Sequence, residues 1–329
     1  MILKILKKNW SYNFILILLL IGLMVLFSFL RVGSFPLVEE GNQMPLYGIF
    51  LQYAGSDNFL NCIFPATFIL LISLLLLRLN TTFPLIQEKT FLVPVVFIMI
   101  MGGFVFLHTM HPVYFGILFL LFSLNRLFNA CTKDSGGLSF AFDAGFYIGV
   151  GSLFYFPLIF YFLIVWVGLF KIHGQLHGRY FILSILGTLF PWFLTFSYYF
   201  FTDSQYILNH LIYKNLYSLA GYNISEINYY VYIGFLSLLS IISGFFLLSH
   251  VNSQKVVTRK YYGILSWILI VSITIFILVP SVSEEILMII AVPLSFMISN
   301  YMVYIKKELI GDIILILFFC LIIWLHITG

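Results

Sequence analysis

Long apolar segments alternate with short polar connections along almost the whole chain. A transmembrane helix needs about 20 mostly apolar residues, and charged residues should fall between such segments. This rule predicts eleven spans, at residues 12–30, 59–78, 91–107, 112–130, 139–155, 157–170, 181–200, 229–249, 262–280, 286–304 and 309–327. The pattern therefore predicts an all-α fold, in which residues 1–329 form a single transmembrane domain of about eleven helices.

The composition supports the same class. Apolar residues make up 62% of the 329 residues and charged residues 9%, whereas a soluble domain has roughly 45–50% and about 25%. A water-soluble fold of this length could not bury so much apolar surface. A soluble enzyme, a disordered chain and a disulfide-rich secreted scaffold are therefore excluded, and no nucleic-acid partner is expected.

The segment 139–170 is ambiguous, because Pro157 lies in its middle. Lys and Arg favour cytoplasmic loops, so their distribution can decide whether the segment crosses the membrane once or twice. If it crosses once, the 16 Lys and Arg residues divide evenly between the two sides. If it forms a hairpin, fourteen of the 16 lie inside, and only two, Arg31 and Lys214, lie outside. The acidic residues outside are then Glu39, Glu40, Asp57, Asp203, Glu226, Glu284 and Glu285. The hairpin is favoured, with a cytoplasmic N-terminus and an outer C-terminus.

Two predicted outer loops, 31–58 and 201–228, are much longer than the others. Each contains an amphipathic segment, at 44–53 and 205–219, that is typical of a helix lying in the membrane interface. These helices are either simple connectors or caps over one outward-facing cavity.

Asp143 is a carboxylate inside a predicted span, 139–155. Arg126 lies about one turn inside the inner end of the fourth span, and Asp143 about one turn inside the start of the fifth. Adjacent antiparallel helices would place both at a similar depth within the membrane. The sequence therefore predicts a structural ion pair between them, with a proton relay as the alternative. The small residues Gly145, Gly149 and Gly151 predict close helix packing next to it.

The first outer loop carries the adjacent carboxylates Glu39 and Glu40. A carboxylate at the membrane edge can act as a base towards a hydroxyl, or hold a divalent cation against a lipid phosphate. The alternative is that both are solvated charges that only fix the topology. The outer groups able to face a donor phosphate are Arg31, Lys214, His108 and His111. The spacing of the Cys and His residues does not predict a metal site. A divalent cation held by Glu39 or Glu40 is the only cofactor that the sequence suggests.

The first span, its acidic outer loop and the following interfacial helix resemble the start of the GT-C glycosyltransferases. The segment 142–157, with Gly145, Gly149 and Leu153 four residues apart, resembles the Gly-x3-Gly-x3-Leu segment of that family. The resemblance implies transfer of a sugar from a polyprenyl-phosphate carrier, with Glu39 or Glu40 as base or metal ligand. The motif Asn125-Arg126-Leu-Phe, followed by the segment around Asp143, is also similar to an uncharacterised bacterial polytopic inner-membrane family.

Three functions remain open at this point. The first is a glycosyltransferase-like activity on a polyprenyl-phosphate-linked donor at the outer face. The second is a non-enzymatic subunit or scaffold of a cell-envelope export or assembly machine, with protein partners in the membrane. The third is a transporter, which would require a polar site near the membrane midplane. Membrane lipid is a partner in each case.

Overall fold

The structure is a computed structural model that describes residues 3, 6, 11–30, 43–54, 58–86, 88, 90–104, 110–132, 137–173, 178–219, 227–250, 254–305 and 308–328. This part of the chain is helical and contains no strand. Its α-helices are α1 (Ser11–Leu30), α2 (Pro45–Ala54), α3 (Asn58–Thr82), α4 (Leu92–Gly102), α5 (Val113–Thr132), α6 (Gly137–Ser152), α7 (Phe162–His173), α8 (Gly178–Phe201), α9 (Gln205–Tyr217), α10 (Ile227–His250), α11 (Val256–Leu278), α12 (Ile286–Tyr304) and α13 (Glu308–Thr328). A 3-10 helix, Phe156–Tyr161, precedes α7.

A helix occupies each predicted span, and α2 and α9 occupy the two long loops. Within the described residues, seven helices are long and apolar enough to cross a membrane: α3, α5, α8, α10, α11, α12 and α13. Shorter apolar helices lie at Asn13–Leu23, Leu92–Gly102 and Phe156–Ile172. The protein is therefore an all-helical membrane protein, and the count of eleven spans stays a prediction.

The chain breaks close to Pro157, where the sequence predicts two helices. α6 ends at Ser152, and the 3-10 helix begins at Phe156 with Pro157 in its first turn. Proline has no backbone N–H and its ring clashes with a preceding helical turn, so it fits best in the first turn of a helix and costs stability in the interior. The amide of Leu158 instead donates to the carbonyl of Tyr155, 3.1 Å away. Segment 139–170 is therefore not one continuous helix.

Small residues allow α6 to pack directly on α8. A Cβ atom at Gly145 would lie 2.2 Å from the Ser184 carbonyl oxygen, and one at Gly149 would lie 2.5 Å from that of Thr188. No side chain larger than hydrogen fits at such distances. Thr188 Oγ1 also donates to the Gly145 carbonyl, 3.1 Å away. The predicted packing role of these two glycines is confirmed, and it explains the Gly-x3-Gly spacing without a ligand.

The most buried helices lie at the centre of the bundle. Every residue of α4 is buried, as are most residues of α12. The outer helices α8, α10 and α13 are much more exposed, with large apolar side chains such as Phe193 and Phe245 pointing away from the core. Such a distribution suits a bundle whose outer surface is covered by lipid.

Contacts between distant segments sort the helix ends into two groups. At one end, Leu46 N donates to the Leu153 carbonyl (3.3 Å), Tyr47 Oη donates to the Met110 carbonyl (3.2 Å), and Ser281 Oγ donates to the carbonyl of residue 215. We call this the Glu285 end. It unites the segments 44–54, 110–112, 153–156, 205–218 and 279–285, all of which the sequence predicts to be outside.

The opposite end, which we call the Arg126 end, joins segments that the sequence predicts to be inside. Phe91 N donates to the carbonyl of residue 6 at 3.3 Å, and Lys260 Nζ donates to the Ile172 carbonyl at 2.9 Å. Of the Lys and Arg residues in the described ranges, Lys214 lies at the Glu285 end. The others lie at the Arg126 end: Arg78, Arg126, Lys171, Arg179, Lys255, Arg259 and Lys260.

Candidate functional site

Two adjacent carboxylates are buried in the turn between α11 and α12. Glu284 is 2% exposed and Glu285 7% exposed, although the surrounding bundle is almost entirely apolar. Removing a carboxylate from water is costly unless hydrogen bonds or charges compensate it. The sequence places both residues outside but does not predict their burial. One feature of the sequence could have indicated this burial. The acidic pair lies in a connection between two apolar spans, and this connection is too short to extend far into water.

Hydroxyl and amide groups surround the Glu285 carboxylate. The backbone amide of Ser283 donates to Oε1 at 3.1 Å, and the Ser283 hydroxyl donates to Oε2. These two bonds also close the turn that leads into α12. The Tyr155 hydroxyl, which comes from the turn between α6 and the 3-10 helix, lies 3.5 Å from Oε1. Elements more than a hundred residues apart therefore meet at this carboxylate.

His111 lies in the connection between α4 and α5, next to the same group. Its ring is 6.4 Å from the Tyr155 ring in an edge-on arrangement. The backbone amide of Val113 donates to His111 Nδ1 at 3.3 Å, which requires that nitrogen to carry no proton. Burial lowers the pKa of His111, and the negative charge of Glu285 partly opposes this effect. The imidazole is therefore neutral at pH 7, with its proton on Nε2.

The amphipathic helices α2 and α9 both pack at the Glu285 end. The Tyr47 side chain of α2 is buried, and burial raises the pKa of its hydroxyl. A small apolar cluster separate from the main core connects the two helices to the hairpin turn and α8. Its buried members are Met44, Leu153, Phe156, Trp192 and Leu208. The two long loops thus share one cluster, and a cap over an outward-facing cavity stays a prediction.

The predicted site residues are only partly described. Arg31, Glu39, Glu40 and His108 lie outside the described residues, whereas His111 belongs to the group around Glu285. Lys214 is half-buried on α9. The next residue along α9 accepts a hydrogen bond from Ser281, in the turn that also carries Glu285. The structure therefore brings His111 and Lys214 to the same end of the bundle.

Arg126 and Asp143 lie at the other end, where the structure brings them together. Arg126 Nε is 3.4 Å from Asp143 Oδ2. Their side chains are 38% and 35% exposed, so the pair is not enclosed in the core of the bundle. Arg126 instead lines an open pocket of about 360 Å³. The pocket could not be found from sequence, because it lies between three helices whose mutual positions are set by packing.

Within the described ranges, no group of three or more His, Cys, Asp or Glu residues is arranged to hold a metal ion. A divalent cation at Glu39 and Glu40 is thus neither supported nor tested, since both residues lie outside those ranges.

Comparison with known proteins gives a family and no activity. No curated protein and no solved structure matches the chain. The match to a family begins just before α2 and ends with α13, so it includes both ends of the bundle. Through residues 44–328, the chain belongs to a family of unknown function, DUF6427.

Proposed function

We propose that this protein is a multi-pass transferase of the bacterial inner membrane, which moves a sugar or related group from a polyprenyl-phosphate-linked donor at the Glu285 end. The observation that carries the proposal is the Glu285 carboxylate, which is buried between Ser283 and Tyr155 and lies close to a neutral His111. Ionisable groups are rarely buried in membrane proteins unless they serve a function. The resemblance to GT-C glycosyltransferases suggests the type of reaction, which is sugar transfer from a polyprenyl-phosphate carrier.

The distribution of positive charge supports an outer location for this end. Of the described Lys and Arg residues, only Lys214 lies at the Glu285 end, and the positive-inside rule assigns the other end to the cytoplasm. A polyprenyl-phosphate-linked donor on the outer leaflet would then meet the Glu285 end.

The proposed reaction assigns separate roles to the clustered groups. A carboxylate, Glu285 among the described residues, accepts the proton of the acceptor hydroxyl. The hydroxyl oxygen attacks the anomeric carbon, and the bond from that carbon to the phosphate oxygen breaks. The electron pair leaves with the polyprenyl phosphate. His111 has its proton on Nε2 and can donate a hydrogen bond to a phosphate oxygen, whereas Glu39 and Glu40 retain the predicted role of base or cation ligand.

Lys214 would supply positive charge to the donor phosphate. Two like unit charges 4 Å apart repel by about 4 kcal/mol at an effective dielectric constant of 20, so a phosphate beside Glu285 needs a nearby cation. Helix α9 carries Lys214 to the turn that holds Glu285. The position of Lys214 on this helix therefore agrees with the proposed role.

The proposal can be tested with the purified protein in lipid nanodiscs. A panel of polyprenyl-phosphate sugars would be supplied with sugar or lipid acceptors, and released polyprenyl phosphate would be measured by mass spectrometry. Loss of a general base costs about 10²- to 10⁴-fold in rate, so Glu285→Gln should reduce release by at least about a hundredfold. The control is Glu308→Gln, which changes an exposed carboxylate at the start of α13.

Two results would contradict the proposal. The first is release at an equal rate by the wild type and Glu285→Gln. The second is no release by the wild type with any donor in the panel, together with no protection of the protein by any donor against thermal unfolding. Either result would favour the scaffold function considered from the sequence.

A further inference from the structure

The pocket at the Arg126 end lies between α3, α5 and α6, and its lining combines cationic, amide and aromatic side chains. It has a volume of about 360 Å³ and is lined by Arg78, Phe122, Asn125, Arg126, Asn129, Phe140 and Tyr147. Two guanidinium groups and two amides form the polar part, and three aromatic rings form the remainder. Ligand pockets usually measure about 300–1,000 Å³, so this one suits a small headgroup-sized ligand.

The charge of this pocket is positive. Arg126 is balanced by Asp143, with which it makes contact through Nε. The lining residues that the structure describes include a second guanidinium, that of Arg78, and no carboxylate. A guanidinium has five N–H donors, so the contact through Nε uses only part of the hydrogen-bonding capacity of Arg126. Within the described residues, the lining therefore offers more donors and more positive charge than the Asp143 carboxylate can satisfy.

The amides on α5 are held in place by a local bond. Asn129 Nδ2 donates to the backbone carbonyl of Asn125 at 2.8 Å. Asn129 lies four residues after Asn125 and three residues after Arg126, and residues at these spacings are neighbours on a helix surface. One side of α5 therefore presents polar groups to the pocket. A polar stripe of this kind inside a membrane helix has to meet water, protein or a polar ligand.

The depth of the pocket agrees with a ligand from the membrane surface. Arg78 lies four residues before the end of α3, and Arg126 six residues before the end of α5. At 1.5 Å per residue these positions are about 6 and 9 Å inside the helix ends. Long Arg side chains reach from such positions towards the headgroup level, while the aromatic rings can contact the apolar part of a lipid.

We propose that this pocket binds a phosphate group, as presented by the headgroup of an anionic phospholipid in the leaflet at the Arg126 end. Arg78 and Arg126 donate charge-assisted hydrogen bonds to the phosphate oxygens, and the amides of α5 complete the polar wall. Planar guanidinium groups match the geometry of phosphate oxygens, and basic pockets between membrane helices bind anionic headgroups. A soluble phosphate ester offers the same chemistry, so the experiment must distinguish the two sources. The site lies at the opposite end from Glu285 and does not depend on the proposed transferase activity.

The test measures binding to the purified full-length protein in detergent. Thermal unfolding is followed during titration with phosphatidylglycerol, with phosphatidylcholine, and with glycerol phosphate as the soluble source. We expect phosphatidylglycerol to raise the unfolding temperature and phosphatidylcholine to have no comparable effect. A charge-assisted hydrogen bond is strong enough that Arg78→Gln should weaken the apparent affinity for phosphatidylglycerol at least about tenfold. Arg179→Gln, a matched change at an exposed position of the same end, should leave the affinity unchanged.

Additional variants separate binding from folding. Arg78→Lys keeps the charge but loses the planar fork, so its affinity should lie between those of the wild type and Arg78→Gln. The unfolding temperature of each variant without lipid shows whether the fold itself has changed. Stabilisation by glycerol phosphate equal to that by phosphatidylglycerol would assign the site to a soluble ligand. Equal effects of the two lipids, or equal losses in Arg78→Gln and Arg179→Gln, would overturn the inference.

Discussion

The two ends of the bundle each carry an acidic residue in an unusual position, but they compensate its charge in opposite ways. Asp143 faces a full positive charge on Arg126 and is more than one third exposed, at the edge of an open pocket. Glu285 is buried, and its identified partners are neutral donors: the amide and hydroxyl of Ser283 and the hydroxyl of Tyr155. The Arg126 end thus keeps its charges accessible, whereas the Glu285 end encloses one.

This difference has a physical consequence for what each end can do. An exposed ion pair contributes little to stability because water screens it, but its remaining donors are available to a ligand. A buried carboxylate held by neutral hydrogen-bond donors lies in a medium of low dielectric constant, where it interacts strongly with neighbouring protons and charges. The first arrangement suits binding, and the second suits proton transfer.

The largest expected difference between the ends concerns removal of each carboxylate. Glu285→Ala leaves the Ser283 amide and hydroxyl and the Tyr155 hydroxyl without their acceptor in a buried region. Each unsatisfied buried donor costs about 1–3 kcal/mol, so we expect a loss of about 3 kcal/mol in the free energy of unfolding. Denaturant unfolding in mixed micelles measures it. If Glu285→Ala were as stable as the wild type, the carboxylate would not hold these groups together.

The second prediction uses the pH dependence of stability. The pKa of His111 is lower in the folded protein than in the unfolded chain, so the unfolded chain binds more protons between the two values. Stability is therefore complete above the unfolded pKa and decreases as the pH falls through it, by at most about 1.4 kcal/mol per pH unit. Unfolding temperatures between pH 7.5 and 5.5 would show the decrease. His111→Gln should reduce it, whereas Arg179→Gln should leave it unchanged; equal slopes in all three proteins would refute the assignment.

The smallest effect is expected at the Arg126 end. Asp143→Asn breaks an ion pair whose partners are more than one third exposed, so the free energy of unfolding should fall by no more than about 1 kcal/mol. High salt should reduce the difference between variant and wild type, because it screens exposed charges. Glu308→Gln is the control. A loss as large as that of Glu285→Ala would mean that the two ends do not differ in the way described.

Much of the fold follows from local sequence. The apolar runs predict where helices lie, because a segment that leaves water must satisfy its backbone groups internally. Pro157 favours a break in segment 139–170, because its ring destabilises a helix interior. However, Pro65, Pro191 and Pro293 lie inside helices, so the distribution of Lys and Arg was also needed to predict the hairpin. The Arg126–Asp143 contact follows from counting residues along two neighbouring antiparallel helices. The Gly145 and Gly149 spacing predicts close packing, although the partner helix, α8, is not evident from the sequence.

Only the tertiary structure decided which polar groups share an enclosed volume. Glu284 and Glu285 have the same local sequence features as solvated acids in a connecting turn, but both are buried. Tyr155, from the 153–156 turn, contacts Glu285, and α9 contacts the same connecting turn through Ser281. The pocket at the Arg126 end likewise needs Arg78 from α3 beside Asn125 and Arg126 from α5. Hydrophobicity and backbone hydrogen bonding act locally, so sequence alone determines which segments become helices. The burial of a charge depends on side chains that are distant in the chain, and therefore only the packed structure determines it.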